Sequence, residues 1–502
     1  MGVVLRFVTT SKLWLDEAQS VNIAAHPLSQ LVGYLRHDGA PPLYYVLLHV
    51  WMGVVGSSDV EVRALSGVIS VVALVLAFFA FRAWSDTATA TMATAVFAIV
   101  PYGIYFGTET RMYALVMALV AGLMWVLRRH LERPRIATAV GIALLAAALL
   151  YTQYWSLYLL FVIGVLALVR WWRQRTNGER PDLLFVGALV TGAVLWIPWV
   201  PIFNEQRLHT GTPWSPAPGL SDVFTWVDDF TVNQSIPHVI SSLHTEVTLI
   251  TFLALAFVGV IGVSMATRSA TMSVNLLGAP GVRFLAVVVL GTMLVGMLAS
   301  HFDGAAYVPR YAAVIAVPLM FLVARGIMVF RTPARMLVAI ALLSGACLWT
   351  DKWGVDVQRS QAGPIATALR SAPAGSVVYV CPDQLGPSLL RYAPTDLTYL
   401  GYPRFTNPSI VNWYDYLGAY NRYTPKENAL QQAATISPSE NVYVVRAPNY
   451  GLKLTCWWFA FRLATDLHRS FVTIVKLKPN GYYQPMELQQ LVPVSTSAAP
   501  RQ

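Results

Sequence analysis

The side chains best suited to chemistry in this 502-residue chain fall in short clusters that mix acids, arginines and tyrosines. The first is Leu13-Trp14-Leu15-Asp16-Glu17-Ala18, with two adjacent carboxylates. At a membrane surface such a carboxylate loses solvation and gains basicity. That suits a general base acting on an acceptor hydroxyl. A solvated loop pair, or a cap on the following helix, fits the same residues. The second cluster is Arg36-His37-Asp38-Gly39-Ala40-Pro41-Pro42, followed by Leu43-Tyr44-Tyr45. His37 and Asp38 are candidate substrate contacts, although a capped turn explains Asp38 as well. Pro41 and Pro42 fix the chain ahead of the next segment.

The third cluster runs from Tyr105 to Tyr113 and contains Glu109 and Arg111. Glu109 and Tyr113 are four apart, the spacing of neighbours on one helical face. A guanidinium such as Arg111 grips phosphate oxygens. An internal ion pair between Arg111 and a first-loop carboxylate is the plainer alternative. The fourth cluster is Asp303 to Tyr311, where Arg310 and Tyr311 open an apolar run. Arginine there either snorkels to the interface or holds a lipid-borne phosphate. Gln153 and His301 read as packing or interface residues. There is no phosphate-binding Walker loop, no dinucleotide glycine motif after a strand and no HExxH zinc motif.

What must position these clusters is a membrane bundle. The chain is 56% hydrophobic and 12% charged, against about 25% charged in soluble proteins. Its apolar runs match the ~18–20 residues that cross hydrocarbon as helix, and they lack the alternation of barrel strands. Spans are expected near 63–84, 88–107, 112–128, 136–151, 154–170, 183–203, 246–267, 284–300, 311–330 and 335–350. The break at Tyr151-Thr152-Gln153-Tyr154 also fits a kink. Pro42 to Gly56 reads as an interfacial helix.

Arginines concentrate in alternate loops, from Arg82 through Arg128–Arg135 and Arg170–Arg180 to Arg325–Arg335. These loops are expected to be cytoplasmic. Asp16, Glu17, Asp38, Glu109, Asp222, Asp228, Asp229 and Asp303 then face the exterior. The net charge of +10 is spent on this orientation, so nucleic acid is not an expected partner. Charge gathers at one face, whereas a transporter usually carries ionisable groups near the midplane.

The ends differ from the middle. Met1 to Val8 is an apolar stub interrupted by Arg6, too short to span. It is expected to be either a truncated first helix or an interfacial segment. After Thr350, short β-rich runs at Val377–Cys381, Val442–Val445 and Phe471–Lys478 alternate with helical patterns near Pro364–Ser371 and Cys456–His468. The expected organisation is a membrane domain over 1–350 with a first outer loop at 9–62, an extracytoplasmic α/β domain over 351–490, and a disordered tail over 491–502. Of the three cysteines, Cys347 reads as buried. Cys381 and Cys456 either pair or remain free thiols, and no zinc spacing is present.

Taken in order, Leu13-Trp14-Leu15-Asp16-Glu17-Ala18, Pro41-Pro42-Leu43-Tyr44-Tyr45, Arg63-Ala64-Leu65-Ser66, Glu109-Thr110-Arg111-Met112-Tyr113 and Pro309-Arg310-Tyr311 resemble the GT-C membrane glycosyltransferases. The nearest group is the bacterial relatives of the protein O-mannosyltransferases and the lipid A aminoarabinose transferase. The resemblance covers about residues 1–350. It implies a GT-C-like helical bundle, mainly α and polytopic, working on a polyprenyl-phosphate sugar at the extracytoplasmic face. It implies Asp16 as base with Glu17 beside it, and Arg111, Arg310 and Tyr311 on the donor phosphate. His37, Asp38, Glu109 and Tyr113 would contact substrate. The acceptor would be a glycan, lipid or protein. Mannose is the first expectation for the sugar and arabinose the second, with a flippase of lipid-linked sugars or a non-catalytic scaffold as competing classes. Some GT-C enzymes require a divalent metal, and no ligand set in this sequence defines one. Many relatives carry a histidine where this chain has Gln153, which leaves the role of that position open.

Overall fold

The computed structural model describes residues 1–211, 218–219, 222–231, 242–261, 263–265, 272–274, 279–303, 306–329, 333–447, 454–479 and 481–494. The tail expected over 491–502 lies outside the described residues after Val494, and residues 491–493 belong to a strand, Glu487–Pro493. The chain forms two compact units. The first comprises Met1–Thr9, Ala40–Arg207 and Ser215–Asp356; the second comprises Thr10–Gly39, Leu208–Trp214 and Val357–Gln502. Residues 10–39, assigned by sequence to the membrane domain, thus pack with the C-terminal residues.

The first unit is a multi-pass helical bundle. Among the described residues, seven helices are long and apolar enough to cross a bilayer: Asp59–Trp84, Tyr113–Glu132, Ser156–Thr176, Leu183–His209, Pro280–Phe302, Pro309–Met328 and Met336–Asp356. An eighth arises if Thr87–Ile99 and Pro101–Gly107, bent by 58°, count as one broken span. The remaining two expected spans are helical but shorter, Ile136–Leu150 and Glu246–Ile261. At Tyr151–Trp155 the chain leaves the helix altogether, so two helices stand where a kink was the alternative. Leu43–Val54 forms the expected short apolar helix.

Burial separates core from lipid-facing surface. Helix Ala313–Met328 is buried along most of its length, including its internal Pro318. Asp59–Trp84 buries Ser66, Ser70, Ala73, Ala77 and Ala80 at helical spacing. Small residues on such a stripe let neighbouring helices approach closely. On Ser156–Thr176, Phe161, Val165, Leu168 and Trp172 stay exposed along one side. Apolar stripes of that length need a covering phase, which a bilayer supplies.

Pro101 explains the bend. It has no N–H, so the carbonyl of Phe97 loses its helical donor. Arg6 fills the gap: it is fully buried, and its guanidinium donates to the carbonyls of Phe97 (2.9 Å), Ala98 (2.7 Å) and Gly2 (2.6 Å), and to Ser70 Oγ (2.8 Å). A Cβ on Gly107 would sit 2.8 Å from Arg6 Cγ, so only glycine fits there. The arginine that breaks the apolar stub in the sequence therefore holds the break that precedes Glu109 and Arg111.

The second unit is α/β. Its sheet contains β1 (Val377–Cys381), β2 (Thr398–Gly401), β3 (Val442–Arg446), β4 (Arg469–Val475) and β5 (Glu487–Pro493), in the order β2-β1-β3-β5-β4. The β1–β2 and β1–β3 pairs are parallel, and β5 runs antiparallel to both β3 and β4. β1 is buried at all positions, as a central parallel strand requires. Helices Ala362–Leu369 and Thr455–Asp466 match the two sequence-expected helical patterns. Each contributes to a separate apolar cluster on the sheet.

Cys381 at the end of β1 is bonded to Cys456 on the latter helix, with Cα atoms 5.5 Å apart and a sequence separation of 75. This settles the choice that the sequence left open. A cross-link over a loop of that length stabilises by roughly 2–5 kcal/mol. Cys381→Ser in the full chain is therefore expected to make residues 357–494 protease-sensitive at temperatures the parent tolerates. Equal protease resistance of parent and variant would show the bond to be dispensable.

Candidate functional site

In the first unit, three stretches far apart in sequence converge. After Gly107 the chain makes an irregular turn through Thr108–Met112, where Arg111 N–H donates to the Glu109 carbonyl (2.7 Å). Helix Tyr113–Glu132 starts immediately after it. Tyrosines of the adjacent apolar helix Leu43–Val54 brace this turn. Arg111 Nη1 donates to Tyr45 Oη (3.3 Å). Ser66 Oγ lies 3.0 Å from Tyr44 Oη and donates to the Arg111 carbonyl at 3.4 Å. One residue each of the Pro41-Pro42-Leu43-Tyr44-Tyr45 and Arg63-Ala64-Leu65-Ser66 motifs, Tyr45 and Ser66, thus contacts Arg111.

The turn Pro309–Ala312 is the third element. Tyr102 Oη donates to the Arg310 carbonyl (2.9 Å), tying this turn to the helix after the bend. The Arg310 guanidinium stacks over Tyr311, 5.7 Å from its ring centre. Between these elements lies Tyr113, 1% exposed. Its hydroxyl sits in the field of Arg310 and Arg111, and to a lesser degree of Tyr311 and Glu109. It has no hydrogen-bond partner among the described residues. Glu109 is also buried, at 2% exposure. The Tyr113 phenol thus lies within electrostatic reach of two guanidiniums and one carboxylate, and guanidiniums and a phenol are groups that can hold phosphate oxygens.

An aromatic wall continues from Arg310. Trp155 packs against Trp226 (4.7 Å between ring centres), Tyr307 (5.5 Å) and Tyr311 (5.9 Å), and Trp226 stacks on Tyr307 at 4.4 Å. Trp155 Nε1 donates to the Ala306 carbonyl at 3.2 Å. Burial, then the charge of Asp222, pushes the Tyr307 phenol up, so its hydroxyl remains a donor. No local pattern of residues marks this wall, because its rings come from three separate elements. The side chains of Asp228 and Asp303 lie outside the described residues.

The second unit holds the other predicted residues. Asp16 and Glu17 occupy the first turn of helix Leu15–Ala24, where carboxylates complement the helix dipole. They differ in environment. Asp16 is half-buried, and its backbone carbonyl accepts from Ser20 Oγ (2.7 Å). Glu17 is fully buried, 3.4 Å from the equally buried Arg359, and accepts from the Trp14 N–H at 3.4 Å. Breaking a buried pair leaves an uncompensated charge, so Glu17 fixes the helix that carries Asp16. Gln19 fastens the same helix to residue 411, accepting from Val411 N–H (2.9 Å) and donating to its carbonyl (3.0 Å).

Gln19 also donates to Asp38 Oδ1 at 3.0 Å. His37 is exposed on the last turn of helix Leu28–Asp38 and meets Tyr414 edge-on at 5.5 Å. Arg359 had no motif to reveal it. Asp383 was missed for the same reason: it follows β1, is buried, and accepts from Tyr416 Oη at 2.6 Å. Burial raises its carboxyl to about 7 against the opposing pull of Tyr416 and Arg404. Among the described residues, no three His, Cys, Asp or Glu side chains form a metal-holding group. A cleft of about 290 Å³, mouth included, beside Thr108 and Asp351 contains none of the predicted site residues.

No family model and no curated protein matches the chain. Solved structures do. ArnT from Cupriavidus metallidurans bound to undecaprenyl phosphate aligns over 100% of this chain and 98% of its own, at 11% identity and a TM-score of 0.59. The arabinofuranosyltransferase AftD from Mycobacteria aligns over 98% of this chain and 39% of its own, at 13% identity and a TM-score of 0.51. The Archaeoglobus fulgidus oligosaccharyltransferase, tethered with an acceptor peptide, aligns over 96% of this chain and 73% of its own, at 10% identity and a TM-score of 0.50. All three are GT-C proteins. This chain is a mainly α, multi-pass membrane protein with the GT-C fold.

Proposed function

We propose that this protein is a glycosyltransferase that takes a sugar from a polyprenyl-phosphate carrier and attaches it to a cell-envelope acceptor at the extracytoplasmic face. The observation that carries this reading is Tyr113. A buried phenol without a partner among the described residues, in the field of both Arg310 and Arg111, suits a phosphate. The ArnT structure holds undecaprenyl phosphate, and its fold runs the length of this chain. The Cys381–Cys456 bond supports an oxidising compartment for the second unit.

Asp16 takes the proton of the acceptor hydroxyl. The acceptor oxygen then bonds to the anomeric carbon as the bond from that carbon to the phosphate oxygen breaks, and the configuration inverts. The leaving phosphate keeps the electron pair, with its charge met by Arg111, Arg310 and the Tyr113 hydroxyl. Tyr311 holds the Arg310 guanidinium in place, and Glu109 orients the turn that presents Arg111. His37 and Asp38 contact the acceptor. These roles use protein groups alone.

Mannose is the first reading for the sugar. Arabinose is the second, since an arabinofuranosyltransferase shares the fold. Purified protein in nanodiscs, given labelled polyprenyl-phosphate mannose or arabinose and an envelope extract, is expected to move label from the lipid to acceptor. Label that crosses liposomes without leaving its lipid would instead identify a flippase.

A further inference from the structure

Between helices Ile136–Leu150 and Ser156–Thr176 the chain carries polar groups that the fold itself does not use. Gln153 is 2% exposed and Ser156 fully buried. Neither the Gln153 amide oxygen, nor its nitrogen, nor Ser156 Oγ has a partner among the described residues. The same holds for Trp226 Nε1 and the Tyr307 hydroxyl, on the rings that pack against intervening Trp155. Buried polar atoms without partners are strongly disfavoured, and native structures contain few of them. Gln153 and Ser156 flank Trp155 closely in sequence, Trp226 and Tyr307 pack on its ring, and that ring also reaches Tyr311, next to Arg310.

The chemistry of the set is specific. An amide offers two donors and an acceptor, and hydroxyls offer both. The indole and phenol supply flat apolar faces with polar edges. Vicinal hydroxyls on a ring match amide and hydroxyl groups, and the C–H face of the ring matches aromatic carbon. A lone phosphate, which only accepts, would use the donors of this set and leave the Gln153 amide oxygen without a partner. The backbone N–H groups at the start of helix Ser156–Thr176 are already used: those of Ser156, Leu157 and Tyr158 bond back to Gln153, Tyr154 and Trp155.

We propose that Gln153 and Ser156, with Trp226 and Tyr307, form the subsite for the sugar ring of the donor, and that they select a neutral polyhydroxylated sugar through its hydroxyls. This rests on the reading of Arg111, Arg310 and Tyr113 as the phosphate site and adds the residues that read the sugar attached to it. Gln153 and Ser156 are specificity-determining residues.

The test compares binding of bare undecaprenyl phosphate, undecaprenyl-phosphate mannose and undecaprenyl-phosphate arabinofuranose to the full chain in nanodiscs. The parent is expected to bind one sugar-bearing lipid more tightly than the bare phosphate. Gln153→Ala and Ser156→Ala should each remove about tenfold of that preference, the worth of one well-made hydrogen bond. Both should leave affinity for the bare phosphate unchanged. Gln153→Glu, of nearly equal size, should lose the neutral sugar and gain on an amino-sugar lipid. Variants that keep the full preference would overturn the subsite, as would an equal loss for bare and sugar-bearing lipids, which marks a structural role. A parent that binds bare phosphate but prefers no neutral sugar also overturns it. Failure of the parent to bind any of the three lipids instead removes the phosphate site.

Discussion

Asp16→Asn is expected to lower sugar transfer by about 10²–10⁴-fold, the usual contribution of a positioned general base, with donor affinity near the parent value. The asparagine keeps the size and helix-end position of the side chain and loses only its capacity to take a proton. Asp16 stands on the first turn of a helix that other residues hold in place: Glu17 through Arg359, and Gln19 through Val411. The substitution should therefore leave the second unit folded. Glu17→Gln makes the informative contrast. It strands the buried Arg359 charge and should lower folded yield, while the protein that does fold keeps most of its transfer rate. Asp16→Asn should fold normally and lose transfer. Full transfer by the asparagine variant would sink the assignment of Asp16 as the base.

Arg310→Ala and Arg111→Ala are each expected to weaken binding of polyprenyl phosphate by about 10–100-fold, the range for a charge-assisted hydrogen bond. Transfer should fall further, because charge on the leaving phosphate grows as the bond breaks. The two arginines should differ in what else they disturb. Arg111 is braced by Tyr45 and by Ser66, so Tyr45→Phe should lower affinity in the same direction and by less. Arg310 is placed through its backbone by Tyr102, so Arg310→Ala should leave the turn intact. Lysine restores charge but not the planar fork and should rescue only part of the loss at either position. Tyr113→Phe removes a single neutral donor and should cost about tenfold. Unchanged lipid affinity in the double alanine variant would show that the phosphate binds elsewhere.

The legible parts of the fold were those with a local signature. Each of the ten apolar runs contains helix, because an apolar segment in lipid has to satisfy its backbone internally, although the 246–267 run leaves the helix after Ile261 and Val263–Met265 is a strand. Among the described residues, seven reached spanning length on their own. The bend at Pro101 was hidden because the 88–107 run is apolar on both sides of it, and only Arg6, from the other end of the chain, reveals where the freed carbonyls go. The strands Val377–Cys381 and Val442–Arg446 stood out by their β-branched runs. The packing of residues 10–39 with the C-terminal unit did not, since it depends on Trp14, Leu15 and Gln19 meeting residues near 411.

Among the site residues, type and spacing marked Asp16, Glu109, Arg111, Tyr113, Arg310 and Tyr311 as candidates, because paired acids and interfacial arginines are rare in an apolar chain. Their differences in duty were not marked. Asp16 and Glu17 are adjacent carboxylates of the same chemistry; burial and one arginine 342 residues away fix Glu17, while Asp16 stays half-buried. Gln153 reads as packing in the sequence, whereas its buried amide has neither end bonded among the described residues. Sequence alone determined that the chain threads a membrane, which of its loops carry charge, and which side chains have the chemistry for a lipid phosphate. Tertiary structure decided which of them share a pocket of charge and which polar atoms remain for a ligand, because hydrogen-bond partners and desolvation are set by neighbours in space and have no expression in local sequence.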